Sequence, residues 1–193
     1  MKKGQKWLVA LSLAAFGSQL DAGNDFEPAM ASFLETNIAA WAQDPVIIDA
    51  IRAANAVTAG YSADQIEAMD LAWRAEVGAG DTPTITPILT NAAADFLRDQ
   101  VAQSDGAISE VFIMDQVGLN VAASAVTSDM WQGDEAKFIE TYGNGAGSVH
   151  YGEVEFDDSS QTYQGQISIA ITDPQTGELL GAMTVGVDAE ALL

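Results

Sequence analysis

The sequence contains no cysteine, a single histidine, and 7 lysines and arginines against 28 aspartates and glutamates. Without thiols there is no disulfide framework, no thiol redox chemistry and no zinc–thiolate site. His150 alone argues against a histidine-rich metal centre or a histidine-based triad. The formal net charge of −21 leaves no basic footprint for nucleic acid or anionic lipid, so neither is expected as a partner. Strong acidity is first of all a solubility device, effective where salt screens the repulsion over about 8–10 Å. Long apolar runs are also missing. The one run of note, residues 7–16, is shorter than the roughly 20 residues a bilayer span needs, and no stable membrane anchor is expected. Because Lys2, Lys3 and Lys6 precede it, it reads as a secretory signal, cut before Gly23. The domain is then 23–193 and the protein periplasmic or secreted. Its cations are Arg52, Arg74, Arg98 and Lys137.

Catalytic signatures are equally scarce. There is no nucleophile elbow, P-loop or dinucleotide fingerprint. Asp134 and Glu135 are adjacent carboxylates that would point apart on a helix rather than face each other across a cleft. Asp157, Asp158 and Ser159 offer oxygen ligands without EF-hand spacing and read as a surface turn. No enzyme activity, cofactor or metal is expected.

What is present is a chain of 193 residues, 48% hydrophobic, long enough for one domain with a real core. Residues 26–41 place Phe26, Met30, Phe33, Leu34, Ile38 and Trp41 on one helical face. Asp44 and Pro45 cap and start a second helix running to about Val57. Ser62 and Gln65 have capping-box spacing before a third, which carries Ile66, Met69, Trp73 and Val77. Residues 85–103 read as a fourth. From Ala107 the period drops from about 3.6 to 2. A strand over 108–114, a turn at Gly118 and a strand over 119–124 form a hairpin, and strands follow near 151–156, 163–172 and 179–188. The fold class is α+β, with N-terminal helices on the apolar face of a five-stranded antiparallel sheet. The opposite face is small or polar: Gln164, Gln166, Ser168 and Ala170 on one strand, Ala182, Thr184 and Gly186 on the next.

Between the hairpin and the following strand, 127–137 concentrates Thr127, Ser128, Asp129, Trp131, Gln132, Asp134, Glu135 and Lys137. This density of donors and acceptors with one indole suits a small-molecule site. Asp134 is placed to cap the helix that begins at AKFIETY, turning its first N–H groups toward the loop. Each residue has a structural alternative. Trp131 is a pocket wall or a core anchor, and Lys137 pairs a ligand carboxylate or Asp134. Asp129 and Asp173 hold an ammonium group or close Asx turns, the turn being favoured for Asp173 before Pro174. Gln166 and Ser168 line a pocket or face solvent.

The run EVFIMDQVGLNVAASAVTSDMWQGDEAKF, followed by DPQTGELLGAMTVGV, resembles the extracytoplasmic PAS-like sensor domains called PDC or Cache domains. It is most similar to a stand-alone secreted subgroup, and element order matches over residues 23–188. The resemblance implies a non-catalytic module that holds a small polar metabolite, such as an amino acid, carboxylate or amine, between sheet and loops. It would signal through a membrane-bound partner. The matching positions are Thr127, Asp129, Trp131, Gln132, Asp134 and Lys137, with Asp173 opposite; Gln166 and Ser168 join them from the polar sheet face. A Tyr and Arg pattern of the tandem amino-acid-binding version is not located in this sequence. The alternative is a ligand-free interaction module that forms a homodimer through its long first helix.

Overall fold

The computed structural model describes residues 25–157 and 162–193. The signal-like residues 1–22 and the turn residues Asp158 and Ser159 lie outside them.

Within residues 26–41 the apolar stripe forms a helix shorter than its pattern. Helix α1 (Glu27–Phe33) opens with proline in its first turn and widens over Leu34–Ile38, where Ala39 N–H bonds Leu34 O at 2.9 Å. Met30 and Ile38 are fully buried. Helix α2 (Pro45–Thr58) is capped by Asp44, whose side chain accepts from Val46 N–H, and α3 (Ala63–Glu76) carries the complete Ser62–Gln65 capping box. The stretch 85–103 is two helices, α4 (Ile85–Leu89) and α5 (Ala92–Gln103). Asn91 is the reason. Its oxygen caps α5 by accepting from Ala94 N–H, while its amide donates to Pro87 O and, across the domain, to Val121 O. A side chain that serves several backbone groups on both sides of it holds the chain in a bend that apolar periodicity does not reveal.

The strands are β1 (Ile108–Met114), β2 (Asn120–Ala123), β3 (Val149–Tyr151), β4 (Glu155–Asp157), β5 (Thr162–Thr172) and β6 (Leu179–Asp188). All pairings are antiparallel, in the order β2-β1-β6-β5-β3, and β4 also pairs β5. The α+β expectation therefore holds, with one refinement. The strand expected near 151–156 is two short pieces that share an edge, parted at Gly152, whose N–H still reaches Gln166 O at 2.8 Å. The short helix α6 (Ala136–Ile139) lies between β2 and β3.

Side-chain alternation divides the sheet into two faces. Val111, Ile113, Ile167, Ile171, Met183, Val185 and Val187 pack with Met30, Ile47, Ile51 and Leu97 of the helices as the main core. Phe112, Met114, Ala123 and Ala182 point the other way and meet Phe138 of α6. A third cluster, Trp73, Ile85, Leu119 and Met130, joins α3 to the hairpin and its loop. At the Met114 end of the sheet, Gly181 brings β6 so close to β1 that an added Cβ would stand 2.0 Å from Met114 O. Among the described residues no helix is long and apolar enough to cross a membrane.

Candidate functional site

The polar sheet face is not uniformly covered. At its Met114 end α6 and the apolar cluster close it, but at its Gly186 end it is open. Glu110 and Gln166 sit beside Gly186 in the register of β1, β6 and β5. A Cβ on Gly186 would lie 2.5 Å from Ser109 Oγ and 2.9 Å from Glu110 Cγ. The missing side chain lets Ser109 donate to Gln164 Oε1 across the strand between them, and it leaves a recess above. A cleft of about 370 Å³ occupies it, lined by Val77, Glu110, Phe112, Val126, Thr127, Ser128, Gln132, Lys137, Gln164 and Gln166. A wider cleft of about 970 Å³ adjoins it, shares Lys137, Gln164 and Gln166, and is bordered by Glu27, Glu135, Glu153 and Glu155.

The wall opposite the sheet is the 126–137 segment, fixed by hydrogen bonds that few of its own residues could build alone. Asn120 donates to Thr127 Oγ1 at 2.9 Å and to Asp129 O at 3.0 Å, and Thr127 donates to the same carbonyl at 2.7 Å. Helix α3 holds the segment from outside. Trp73 Nε1 donates to Thr127 O at 2.8 Å, and Asp70 Oδ1 accepts from the Met130 and Trp131 amides at 3.0 and 3.1 Å. Gln132, 1% exposed, spans two charged groups. Its Nε2 donates to Asp129 Oδ1, and its Oε1 accepts from Lys137 Nζ at 3.3 Å. Lys137 Nζ pairs with Glu135 at 2.9 Å and lies 5.4 Å from the centroid of the Phe112 ring on the cleft floor. An ammonium has three donors, of which Gln132 and Glu135 take two.

Of the sequence candidates, Thr127, Gln132, Lys137 and Gln166 come together at this cleft. Asp129 stands behind Gln132, with Arg74 Nη2 3.6 Å from its Oδ2. Burial first, then the charge of Glu135, pushes its carboxyl above the usual range, while the Gln132 hydrogen bond and Arg74 pull it back.

The remaining candidates are elsewhere. Trp131 does not line the cleft. Its ring lies against Gly133 and its Nε1 donates to Val117 O at 2.8 Å, which makes it the anchor between loop and hairpin. Asp134 is exposed, and it does not cap α6. Glu135 occupies the N-cap position with no side-chain capping bond, and the four-residue helix presents no anion site. The partner of Lys137 is Glu135, not Asp134. Ser168 is sealed beneath the closed part of the face, its hydroxyl 2.9 Å from Thr184 Oγ1. Asp173 is at the β5–β6 turn on the helix side, not opposite the loop. It accepts from Gln175 N–H at 2.8 Å, as an Asx turn does, and pairs with Arg52 of α2. The Gln175 amide is the largest influence holding its carboxyl below the usual range, and Arg52 adds to it.

Glu110, Phe112, Gln164 and Val77 were not singled out from sequence. Glu110 and Phe112 point to the face of β1 opposite Val111 and Ile113, and the run of four apolar residues from Val111 to Met114 hides that division in the sequence. Val77, read with Ile66, Met69 and Trp73 as part of the third helix, is the exposed residue that ends α3 beside the cleft. Among the described residues no group of three or more acidic or histidine side chains is arranged to hold a metal.

No protein-family model matches the chain, and no curated protein matches it. Among solved structures it is similar to the sensor domain of the V. cholerae histidine kinase DctB, at TM-score 0.47 and 15% identity, over 86% of this chain and 53% of that one. It is also similar to the sensory domain of the Campylobacter jejuni chemoreceptor Tlp3 with isoleucine bound, at TM-score 0.41 and 13% identity over 90% and 66%. A third is an extracellular ligand-binding receptor from Desulfohalobium retbaense, at TM-score 0.40 and 12% identity over 76% and 25%. The chain thus spans about half of the DctB sensor domain. The histidine-kinase and chemoreceptor structures are sensor domains of the PDC or Cache kind.

Proposed function

We propose that the protein is an extracytoplasmic sensor-type binding domain without catalytic activity, whose 370 Å³ cleft takes a small molecule carrying both an amino and a carboxyl group. One observation carries this reading. Lys137 and Glu110 line the same recess with the amides of Gln132, Gln164 and Gln166, above the apolar floor of Phe112. A charge of each sign plus amide donors and acceptors around an apolar patch complements an α-amino acid. A ligand of net negative charge would have to approach a protein of formal charge −21 against its field, whereas a zwitterion or an amine would not. The volume is also within the range of about 300–1,000 Å³ usual for such sites. Occupancy would then be passed to a partner protein through a change at the 126–137 wall.

Dimerisation through the first helix is less favoured, because Met30, Phe33 and Ile38 are spent on the chain's own core.

Thermal shift against panels of amino acids, simple carboxylates and simple amines tests the proposal. At least one zwitterion should raise the melting temperature at millimolar concentration, by an amount equivalent to about 2.7 kcal/mol when it exceeds its Kd a hundredfold. Lys137→Met should weaken that ligand by roughly 10- to 100-fold, the usual scale for one charge-assisted hydrogen bond. No stabilisation by any of the three classes would overturn the reading.

A further inference from the structure

We infer that Gln132 and Arg74 are positioning residues that connect the cleft to α3, so that whatever displaces Lys137 is felt on that helix. The inference rests on the cleft being a ligand site for its purpose, but not for its geometry. From Lys137 Nζ an unbroken series of side-chain contacts leads away from the cleft. It passes to Gln132 Oε1 at 3.3 Å, from Gln132 Nε2 to Asp129 Oδ1, and from Asp129 Oδ2 to Arg74 Nη2 at 3.6 Å. Arg74 Nε then reaches Asp70 Oδ2 at 2.8 Å, and Asp70 Oδ1 receives the Met130 and Trp131 amides. The series therefore begins in the cleft and ends by fixing the loop backbone to the helix.

Two features make this arrangement able to switch rather than merely connect. Gln132 is buried, and its amide has one acceptor end and one donor end, so it serves Lys137 and Asp129 together only in one orientation. If a ligand carboxylate draws Lys137 away, the Gln132 oxygen loses its partner where water is scarce, and reorientation costs the bond to Asp129 as well. Arg74 holds two carboxylates, Asp70 and Asp129, that otherwise repel. Without the Gln132 donor, Asp129 draws the guanidinium toward itself and away from Asp70, which loosens the acceptor of the Met130 and Trp131 amides.

Amide hydrogen exchange in the ligand-free protein tests the series directly. Lys137→Met and Gln132→Glu break the series at different points; the second keeps an acceptor for Lys137 and removes the donor to Asp129. Each should speed exchange at the Met130 and Trp131 amides by about tenfold, and leave Ile113 and Val185 in the sheet unchanged. Unchanged exchange at Met130 and Trp131 in Lys137→Met would overturn the inference, as would equal acceleration throughout the sheet. With a ligand that raises the melting temperature of the parent protein, exchange in α3 should change in the parent but not in Arg74→Met, while Arg74→Met still binds. If Arg74→Met transmits the change undiminished, the series is not the route. Should no ligand bind, the proposed function fails, and the ligand-free variants still decide the relay.

Discussion

Asp115, 1% exposed, begins the β1–β2 turn, and its two carboxylate oxygens live in different surroundings. Oδ1 accepts from the Val117 and Leu119 amides at 2.9 and 3.0 Å, whereas Oδ2 has no hydrogen-bond partner among the described residues. The Thr58 hydroxyl acts on Asp115 but spends its proton on Ala54 O. Burial dominates and raises the carboxyl above the ordinary aspartate range. A group whose folded pKa is raised binds its proton more tightly when folded, so its contribution to stability is fully present below the unfolded pKa and is lost as pH rises through the folded value. Asp115→Asn keeps an acceptor for the turn amides and supplies a donor for Thr58 Oγ1. Urea unfolding at a series of pH values should show the parent losing stability relative to Asp115→Asn from the ordinary aspartate range upward. Parallel curves would contradict this. Residue by residue, the candidate site was legible where composition alone speaks. Thr127, Gln132 and Lys137 reach the cleft because the polar loop folds back over the sheet, and Gln166 because strand alternation puts it on the face that the loop overhangs. Trp131 and Asp173 took their structural alternatives, anchor and Asx turn. Which way a side chain points depends on contacts such as Trp131 against Gly133 that are set by tertiary packing, and sequence does not show them.

At the scale of elements, α3 is the clamp on the loop, and Trp73 is its most buried part, at 0% exposure. Trp73→Phe retains most of the apolar contact with Ile85, Leu119 and Met130 but removes the Nε1–Thr127 O hydrogen bond. It should cost about 1–3 kcal/mol by chemical denaturation, the usual result of leaving a buried carbonyl unpaired. A cost near zero would mean that the clamp is not holding. Gly118, at φ +84°, sits where a Cβ would be 2.6 Å from Gly133 Cα. Gly118→Ala therefore meets a strained backbone and a clash with main chain at once, and should destabilise by about 1–3 kcal/mol in the same assay. Most elements were legible because their signals are local. Ser62 with Gln65 and Asp44 with Pro45 each fix a boundary, and the alternation of Ile167, Ile169 and Ile171 with smaller or polar residues marks β5, without reference to the rest of the chain. The break at Asn91 was not, since it depends in part on a partner far away in sequence, Val121 O, and the split after Gly152 has no local mark beyond that glycine.

For the molecule as a whole, a formal charge of −21 on 193 residues sets a background against which every local interaction operates. Self-repulsion of like charge opposes the compact state, and salt relieves it by shortening the screening length from about 30 Å at 0.01 M to about 3 Å at 1 M. The melting temperature should rise as sodium chloride is increased over that interval, and a fall would mean that pairs such as Lys137–Glu135 and Arg52–Asp173 outweigh the repulsion. The same field bears on the cleft, where Glu110 and the acidic border of the wider cleft favour a ligand with a positive end. The domain divides its labour between the two faces of one sheet, one filled by helices and the other left partly open beside Gly186. The most direct test of that division is a heteronuclear NMR titration with α-amino acids that follows the side-chain amide signals of Gln132, Gln164 and Gln166. The three should shift together and saturate with a single dissociation constant. Signals that stay fixed through millimolar ligand, or shifts confined to the helical face, would contradict the account.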